Sequence, residues 1–126
     1  MDKLEYIPGD LVKFATNTYT IVNFEENFLY NKICYALIST NSTKTSFVAD
    51  RDILPIPITP EILEKNKWEH KDDIYFKDYP QRKLVIYDDK AYIINESCSL
   101  FLCKVEFVHQ LQHLLFGLGF NSEMEV

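Results

Sequence analysis

The chain is divided by the stretch Leu54–Glu61, which reads LPIPITPE. Its three prolines lack a backbone N–H and fix φ, so they end any central strand and hold the chain extended. Thr59-Pro60-Glu61 has the pattern of a helix start, with Thr as N-cap, Pro at the first helical position and an acid in the first turn. We therefore expect two parts, residues 1–57 and 58–126, and a short helix Pro60–Asn66.

The part before the prolines has short runs of β-branched and aromatic residues separated by polar turns, the pattern of strands. Pro8-Gly9-Asp10 is predicted to be a turn, and Thr16-Asn17-Thr18 a hairpin turn. The predicted strands are residues 11–14, 19–24, 33–38, 45–48 and 53–54. Because five short strands follow one another within about 45 residues, the pattern indicates a small five-stranded β-barrel.

The part after the prolines returns to strands and ends in a helix. Its strongest pattern is the hairpin Leu84–Ile94, with Asp88-Asp89 at the turn. Further strands are predicted at residues 68–70, 74–77 and 100–104. From Val105 or Glu106 to Leu118 the apolar residues recur with a helical period, and glycines then stop the helix. The fold class predicted is α+β: the barrel, then a short helix, an antiparallel sheet and a C-terminal helix.

Charge disfavours nucleic acid as a partner. The chain of 126 residues has a net charge of −6, and neither half is basic. Attraction to a phosphate backbone is therefore weak. Small barrels do bind single strands on aromatic side chains, and the aromatic content is 14%. A nucleic-acid-associated barrel protein therefore remains an alternative.

The first residues and the cysteines indicate an intracellular protein. Met1–Glu5 has no basic region followed by an apolar one, so we expect no signal peptide, and no apolar run approaches the ~20 residues of a membrane span. The three cysteines, Cys34, Cys98 and Cys103, are an odd number, which argues against a disulfide framework. We expect a cytoplasmic protein whose reduced thiols act as small core residues.

The segment His109-Gln110-Leu111-Gln112-His113 resembles a zinc protease motif in its spacing. Histidines four apart on a helix share one face and can both bind a metal. The protease also needs a Glu directly after the first His to activate water, and Gln110 stands there instead. An amide cannot accept and return a proton at neutral pH, so we expect no protease activity and no catalytic residue here.

A structural zinc site is also disfavoured, and we expect no cofactor. Cys98 and Cys103 lie close in sequence to His109 and His113, but the spacings fit no common zinc pattern. His109 and His113 stay as weak candidate metal ligands, which keeps a metal-binding protein as a second alternative. Otherwise they belong to the polar face of the helix. Phe116 lies on that side, so His109, His113 and Phe116 form a candidate interaction surface toward the barrel half or another chain.

The remaining chemistry-bearing residues have structural interpretations. Cys34 stands inside an apolar strand, and no activating base is evident. The pairs Asp72-Asp73 and Asp88-Asp89 fall at turns, where Asp is favoured because its side chain binds local N–H groups. With only three glycines, a phosphate-binding loop is not expected.

Two segments resemble known groups of proteins. Pro8–Lys13 with Val48–Ile53 is similar to the SH3-like barrels of many small bacterial modules. Leu54–Asn66 with Val108–Leu115, which read LPIPITPEILEKN and VHQLQHLL, resembles short uncharacterised proteins of prophages and mobile elements of gut bacteria. The resemblance implies an SH3-like first half and a phage or mobile-element origin. That family has no assigned activity, so no functional residue is carried over.

Together these features predict a non-catalytic protein-interaction module. No complete catalytic set is found, and aromatic residues such as Tyr30, Trp68 and Tyr79 are compatible with a surface position. The expected partner is an unknown protein. A homodimer through the C-terminal helix is one form of this hypothesis.

Overall fold

The computed structural model describes residues 6–27, 32–39 and 44–126. Within these residues the strands form two antiparallel sheets of five strands each. Two α-helices and one 3-10 turn, Asp50–Asp52, complete the described elements. The predicted α+β class is confirmed, and one of the sheets is curled into a half-barrel.

The first sheet is a meander whose last strand returns to its first. Its strands are β1 (Leu11–Phe14), β2 (Asn17–Asn27), β3 (Lys32–Ser39), β4 (Thr45–Ala49) and β5 (Ile53–Leu54). The spatial order is β4-β3-β2-β1-β5, so five predicted strands are confirmed. The first hairpin is tighter than predicted, because Ala15 adopts a φ of 55° and Thr18 already pairs with Lys13.

The second sheet is a continuous meander in chain order. Its strands are β6 (Glu69–Lys71), β7 (Ile74–Tyr79), β8 (Arg82–Tyr87), β9 (Lys90–Ile94) and β10 (Ser99–Lys104). The predicted turn Asp88-Asp89 joins β8 to β9, with φ values of 49° and 60°. Asp tolerates this left-handed conformation better than most residues because its short side chain can bond locally.

The two helices are α1 (Pro60–Lys65) and α2 (Val108–Gly117). Thr59 caps α1 as predicted, since its hydroxyl accepts a hydrogen bond from the Ile62 N–H at 3.2 Å. The start of α2 was predicted two or three residues too early. Phe107 is extended and bridges to Pro57, and the Gln110 side chain accepts from its N–H. Neither helix is long and apolar enough to cross a membrane, within the described part of the chain.

Each sheet has its own buried cluster, and a third cluster joins them. The first surrounds Tyr35 and Leu37, and the second surrounds Trp68 and Leu111. The third contains Leu11 of β1, Ile56 of the proline stretch and Val108 of α2. Because its members come from both halves, this cluster fixes the second part of the chain against the first. We call it the joint.

The aromatic residues named as surface candidates have different positions. Trp68 is 4% exposed and belongs to the core of the second half, so its prediction as a surface residue is wrong. Its large apolar ring gains more from burial beneath α2 than from contact with water. Tyr79 is half-buried and stacks on Phe120, with ring centroids 3.7 Å apart. Tyr30 lies outside the described residues.

Candidate functional site

The face of α2 that carries the two histidines is turned toward the first half of the chain. His109 is 2% exposed, whereas the side chain of His113 is 34% exposed. Phe116, one turn further on, is 71% exposed. Of the two surroundings foreseen for this face, the first half of the chain therefore contacts both His109 and His113. Phe116 is the most exposed of the three residues.

His113 is held by a carboxylate from the other half. Its Nε2 lies 2.7 Å from Oδ2 of Asp10, in the turn before β1. The same oxygen accepts a hydrogen bond from the Ile7 N–H at 2.9 Å. Asp10 is 2% exposed, so the contact is shielded from water on the carboxylate side. The pair connects two residues that are 103 positions apart in sequence.

Burial dominates the electrostatics of Asp10. Removing the carboxylate from water raises its pKa above the ordinary value of 3.8, against the hydrogen bond from Ile7 and the bond and charge of His113. Burial disfavours the charged form of any acid, and a nearby cation restores it. The Asp10–His113 pair therefore offsets the free-energy cost of burying the Asp10 carboxylate.

His109 lies in an aromatic pocket formed by both halves. Its ring centroid is 4.9 Å from that of Tyr6 and 6.0 Å from that of Phe107, and the His113 ring is 5.6 Å away. Burial lowers the pKa of His109 below 6.5, and the Asp10 charge raises it by a smaller amount. The ring is thus favoured in its neutral form, as a packed core residue.

Gln112, between the two histidines in sequence, binds the backbone of the first half. Its Oε1 accepts from the Leu11 N–H at 2.9 Å, and its Nε2 donates to the Gly9 carbonyl at 3.0 Å. The same Nε2 is 3.2 Å from the Ser122 carbonyl. An amide presents a donor and an acceptor side by side, as a neighbouring strand would. Gln112 therefore satisfies two backbone groups at the start of β1, the Gly9 carbonyl and the Leu11 N–H.

A small hollow of about 130 Å³ opens beside this contact. Its walls are Ile7, Pro8, Gly9, Asp10, Gln112, His113, Phe116 and Ser122. The partly exposed edge of His113 and the exposed ring of Phe116 both border it. The volume is below the ~300 Å³ of ordinary ligand pockets, so the hollow suits a single protruding side chain better than a substrate.

The candidate metal ligands do not form a cluster. Across residues 6–27, 32–39 and 44–126, no three His, Cys, Asp or Glu side chains are placed to hold one ion. His113 is engaged by Asp10, and Cys98 is exposed in the turn before β10. Its exposure corrects the expectation that all three thiols are core residues. Cys34 and Cys103 are half-buried, and burial raises the pKa of the Cys103 thiol.

The sequence pattern indicates the helix face, but it does not indicate the two residues that bind the helix to the first half, Asp10 and Gln112. From the sequence, Asp10 is interpreted only as part of a turn, and Gln112 only as a member of the histidine segment. Their contacts join residues about 100 positions apart, and no local pattern signals such a pair. The only available sign was Asp10 itself, an acid placed directly before an apolar strand.

The strand edges are a second feature that sequence patterns did not distinguish. Adjacent residues Leu100 and Phe101 of β10 are 58% and 51% exposed, and β10 lies at the end of its sheet. Phe47 of β4, at one end of the first sheet, is 69% exposed. Large apolar side chains therefore stand at one outer edge of each sheet.

Comparison with protein-family models, curated proteins and solved structures finds no match to this chain.

Proposed function

We propose that this chain is a cytoplasmic, non-catalytic protein-interaction module, and that the edge of β10 receives an extended strand from a protein partner. The observation that carries the proposal is the exposure of both Leu100 and Phe101. Successive residues of a strand point to opposite faces, so β10 offers an apolar side chain on each side of its edge. A paired strand would cover both.

The contrast between β10 and the other edge strands supports this proposal. An edge strand presents unpaired N–H and C=O groups, and natural proteins protect such edges with charges or keep them very short. The edge strand β6 reads Glu-His-Lys and is exposed throughout, and β5 has two residues. Residues 99–103 of β10 carry no charge. The edge strand β4 is also uncharged, but Phe47 is the one large apolar side chain that it exposes. Because β5 and β6 are protected and β10 exposes two such side chains, the part of β10 before its bulge at residues 101–103 is the candidate for strand addition.

The Asp10–His113 pair does not require a catalytic explanation. It ties the two halves together and compensates a buried carboxylate, which accounts for both residues. Three free thiols agree with the reducing cytoplasm. The partner is a protein because the edge offers backbone pairing and apolar contact. The net charge of −6 gives little attraction to nucleic acid.

We also propose that the first half is an SH3-like barrel and that the gene has a phage or mobile-element origin. The barrel is supported by the order β4-β3-β2-β1-β5 and by the 3-10 turn that leads from β4 to β5. The origin is supported by the resemblance of Leu54–Asn66 and Val108–Leu115 described above. Flanking genes of ordinary chromosomal metabolism, in every genome that carries the gene, would contradict this origin.

The test of the interaction proposal is the substitution Phe101→Lys, with Tyr87→Lys as the matched control. Tyr87 is 47% exposed but lies on the central strand β8, so its substitution leaves both edges unchanged. Partners are captured from the native host by cross-linking and quantified by mass spectrometry, and light scattering reports a homodimer. We expect the dominant partner, or the dimer, to fall at least about tenfold with Phe101→Lys only. Equal capture by all three proteins would disprove the role of β10.

A further inference from the structure

The last described residues lie on the protein in the manner of a bound peptide. From Asn121 to Val126 exposure alternates, with Ser122, Met124 and Val126 half-buried and the residues between them exposed. This is the period of an extended chain that has one face against a surface. No strand is assigned to the segment, however, so strand pairing does not hold it there.

Side chains of the two helical regions hold the backbone of this segment instead. The Asn66 amide donates to the Glu125 carbonyl at 2.7 Å and accepts from the Glu125 N–H at 2.8 Å. Lys65 Nζ donates to the Val126 oxygen at 3.0 Å, and Gln112 reaches the Ser122 carbonyl. The two bonds of Asn66 grip both polar groups of one residue, which fixes the register of the segment.

The inward side chains of the segment rest on the joint. Met124 and Val126 pack against the cluster of Leu11, Ile56 and Val108. Glu123 and Glu125 alternate with them and are exposed. We call the surface under the segment the groove; the joint forms its floor, and Lys65, at the end of α1, borders it. Apolar sockets for alternate side chains, with a polar grip on the backbone between them, are the parts of an extended-peptide site.

The groove continues beyond the space that the segment fills. An open cleft of about 530 Å³ runs between Lys65 with residues 124–126 on one side and Leu11, Ser39 and the hairpin residues 16–18 on the other. A longer extended peptide has room to lie there.

We propose that this groove is a binding site for an extended peptide with apolar side chains at alternate positions, and that residues 121–126 occupy it in cis. The chain's own segment defines the ligand class, because Met124 and Val126 pack in the groove and its backbone is held by side chains of the helices. A partner peptide of this kind displaces the segment, so the site is self-covered until such a partner competes. The groove shares no residue with β10 and does not depend on strand addition there.

The test uses the full chain with Met124→Ser and Val126→Ser, which releases the segment, and a fluorescent peptide of sequence NSEMEV. The intact segment competes at an effective concentration in the mM range. We therefore expect the peptide to bind the released variant at least about tenfold more tightly than wild type. A peptide with both apolar residues replaced by serine is the matched control, and Asn66→Ala in the released variant should abolish binding.

Binding is measured by fluorescence polarisation of the peptide. Equal affinity of the NSEMEV peptide for wild type and for the released variant would overturn the proposal, as would equal affinity of the NSEMEV and serine peptides for the released variant. If circular dichroism shows that the released variant is unfolded, the wild-type protein carries the test. NMR at mM peptide should then shift and sharpen the resonances of residues 121–126 of the protein, because the peptide takes their place in the groove. Unchanged resonances of residues 121–126 under these conditions disprove the site.

Discussion

Gln112, Asp10 and His109 are the residues where burial and polarity conflict most in the described structure. Each is at most 5% exposed, and each has polar atoms. Gln112 resolves the conflict with hydrogen bonds to backbone, Asp10 with His113, and His109 by favouring its neutral form. The contact between the two halves therefore depends on polar atoms that a small substitution can leave without partners.

Replacing Gln112 tests this dependence directly. Gln112→Ala removes the acceptor of the Leu11 N–H and the donor to the Gly9 carbonyl, and unsatisfied buried groups cost about 1–3 kcal/mol. Gln112→Glu keeps an acceptor but buries a charge, so we expect at least as large a loss. Urea unfolding measures both, with the exposed Glu64→Ala of α1 as control. A loss no greater than that of Glu64→Ala would contradict the assignment.

The histidine at position 109 makes stability depend on pH. Its pKa is lowered by burial, so the unfolded chain binds this proton more readily than the folded protein does. The free energy of unfolding should therefore decrease as the pH falls below 6.5, by at most about 1.4 kcal/mol per pH unit for one proton. His109→Phe should reduce this slope between pH 6.5 and 5. Identical slopes for the two proteins would show that His109 is not responsible.

Asp10→Asn should change the titration of His109 without removing the ring. The Asp10 charge raises the pKa of His109, against the larger effect of burial. Without that charge the His109 pKa should fall further, as measured by NMR titration of the ring. Asp52→Asn, an exposed acid of the 3-10 turn, is the control. An unchanged or higher His109 pKa in Asp10→Asn would refute the coupling.

Among the elements, the turns determine which strands pair. The meander of the second sheet uses left-handed residues at its turns, including Asp72, Gln81 and the pair at 88–89. Gln81, with a φ of 66°, has no short polar side chain to offset this conformation as Asp does. The turn between β7 and β8 is therefore strained.

Gln81→Gly should relieve this strain. Glycine accepts positive φ without a steric penalty, and after its larger loss of entropy on folding we expect a gain of ~0.5–1 kcal/mol. Urea unfolding measures the change. Lys90→Gly, an exposed site in the regular strand β9, should instead destabilise by a similar amount. A loss of stability in both variants would show that the turn conformation is not limiting.

The elements themselves were largely predictable from sequence, because strands and helices of this chain follow local patterns. Period-two and β-branched runs marked the strands, and Thr59-Pro60 marked α1. The errors fell where distant groups intervene: Phe107 stays extended because it pairs with Pro57, and Trp68 is buried by packing against the second core. The contacts of the candidate site could not be predicted, since pairing Asp10 with His113 requires knowledge of how the halves meet.

At the scale of the whole molecule, the joint contacts both halves, and we expect it to make the two sheets one cooperative unit. Leu11 belongs to β1, yet its buried neighbours in the joint are Ile56 and Val108 rather than the core of its own sheet. A change at Leu11 should therefore be felt in both halves.

Leu11→Ala tests this coupling, with an expected loss of about 2–5 kcal/mol. Trp68, the one tryptophan of the chain, lies in the other half and reports its unfolding by fluorescence. We expect the Trp68 midpoint to shift together with far-UV circular dichroism, as one transition. The exposed Phe47→Ala should move neither. A Trp68 midpoint that stays at the wild-type value would mean that the halves unfold separately.

The long reach of Gln112 also sets an order in time during protein synthesis. Its partners Gly9 and Leu11 precede it by 103 and 101 residues. At about 5–20 residues per second, a ribosome adds Gln112 roughly 5 to 20 seconds after them. Throughout that interval the Gly9 carbonyl and the Leu11 amide are hydrated by water. Any structure that the first half adopts in that interval lacks the bonds of Gln112, and the contact between the halves is completed last.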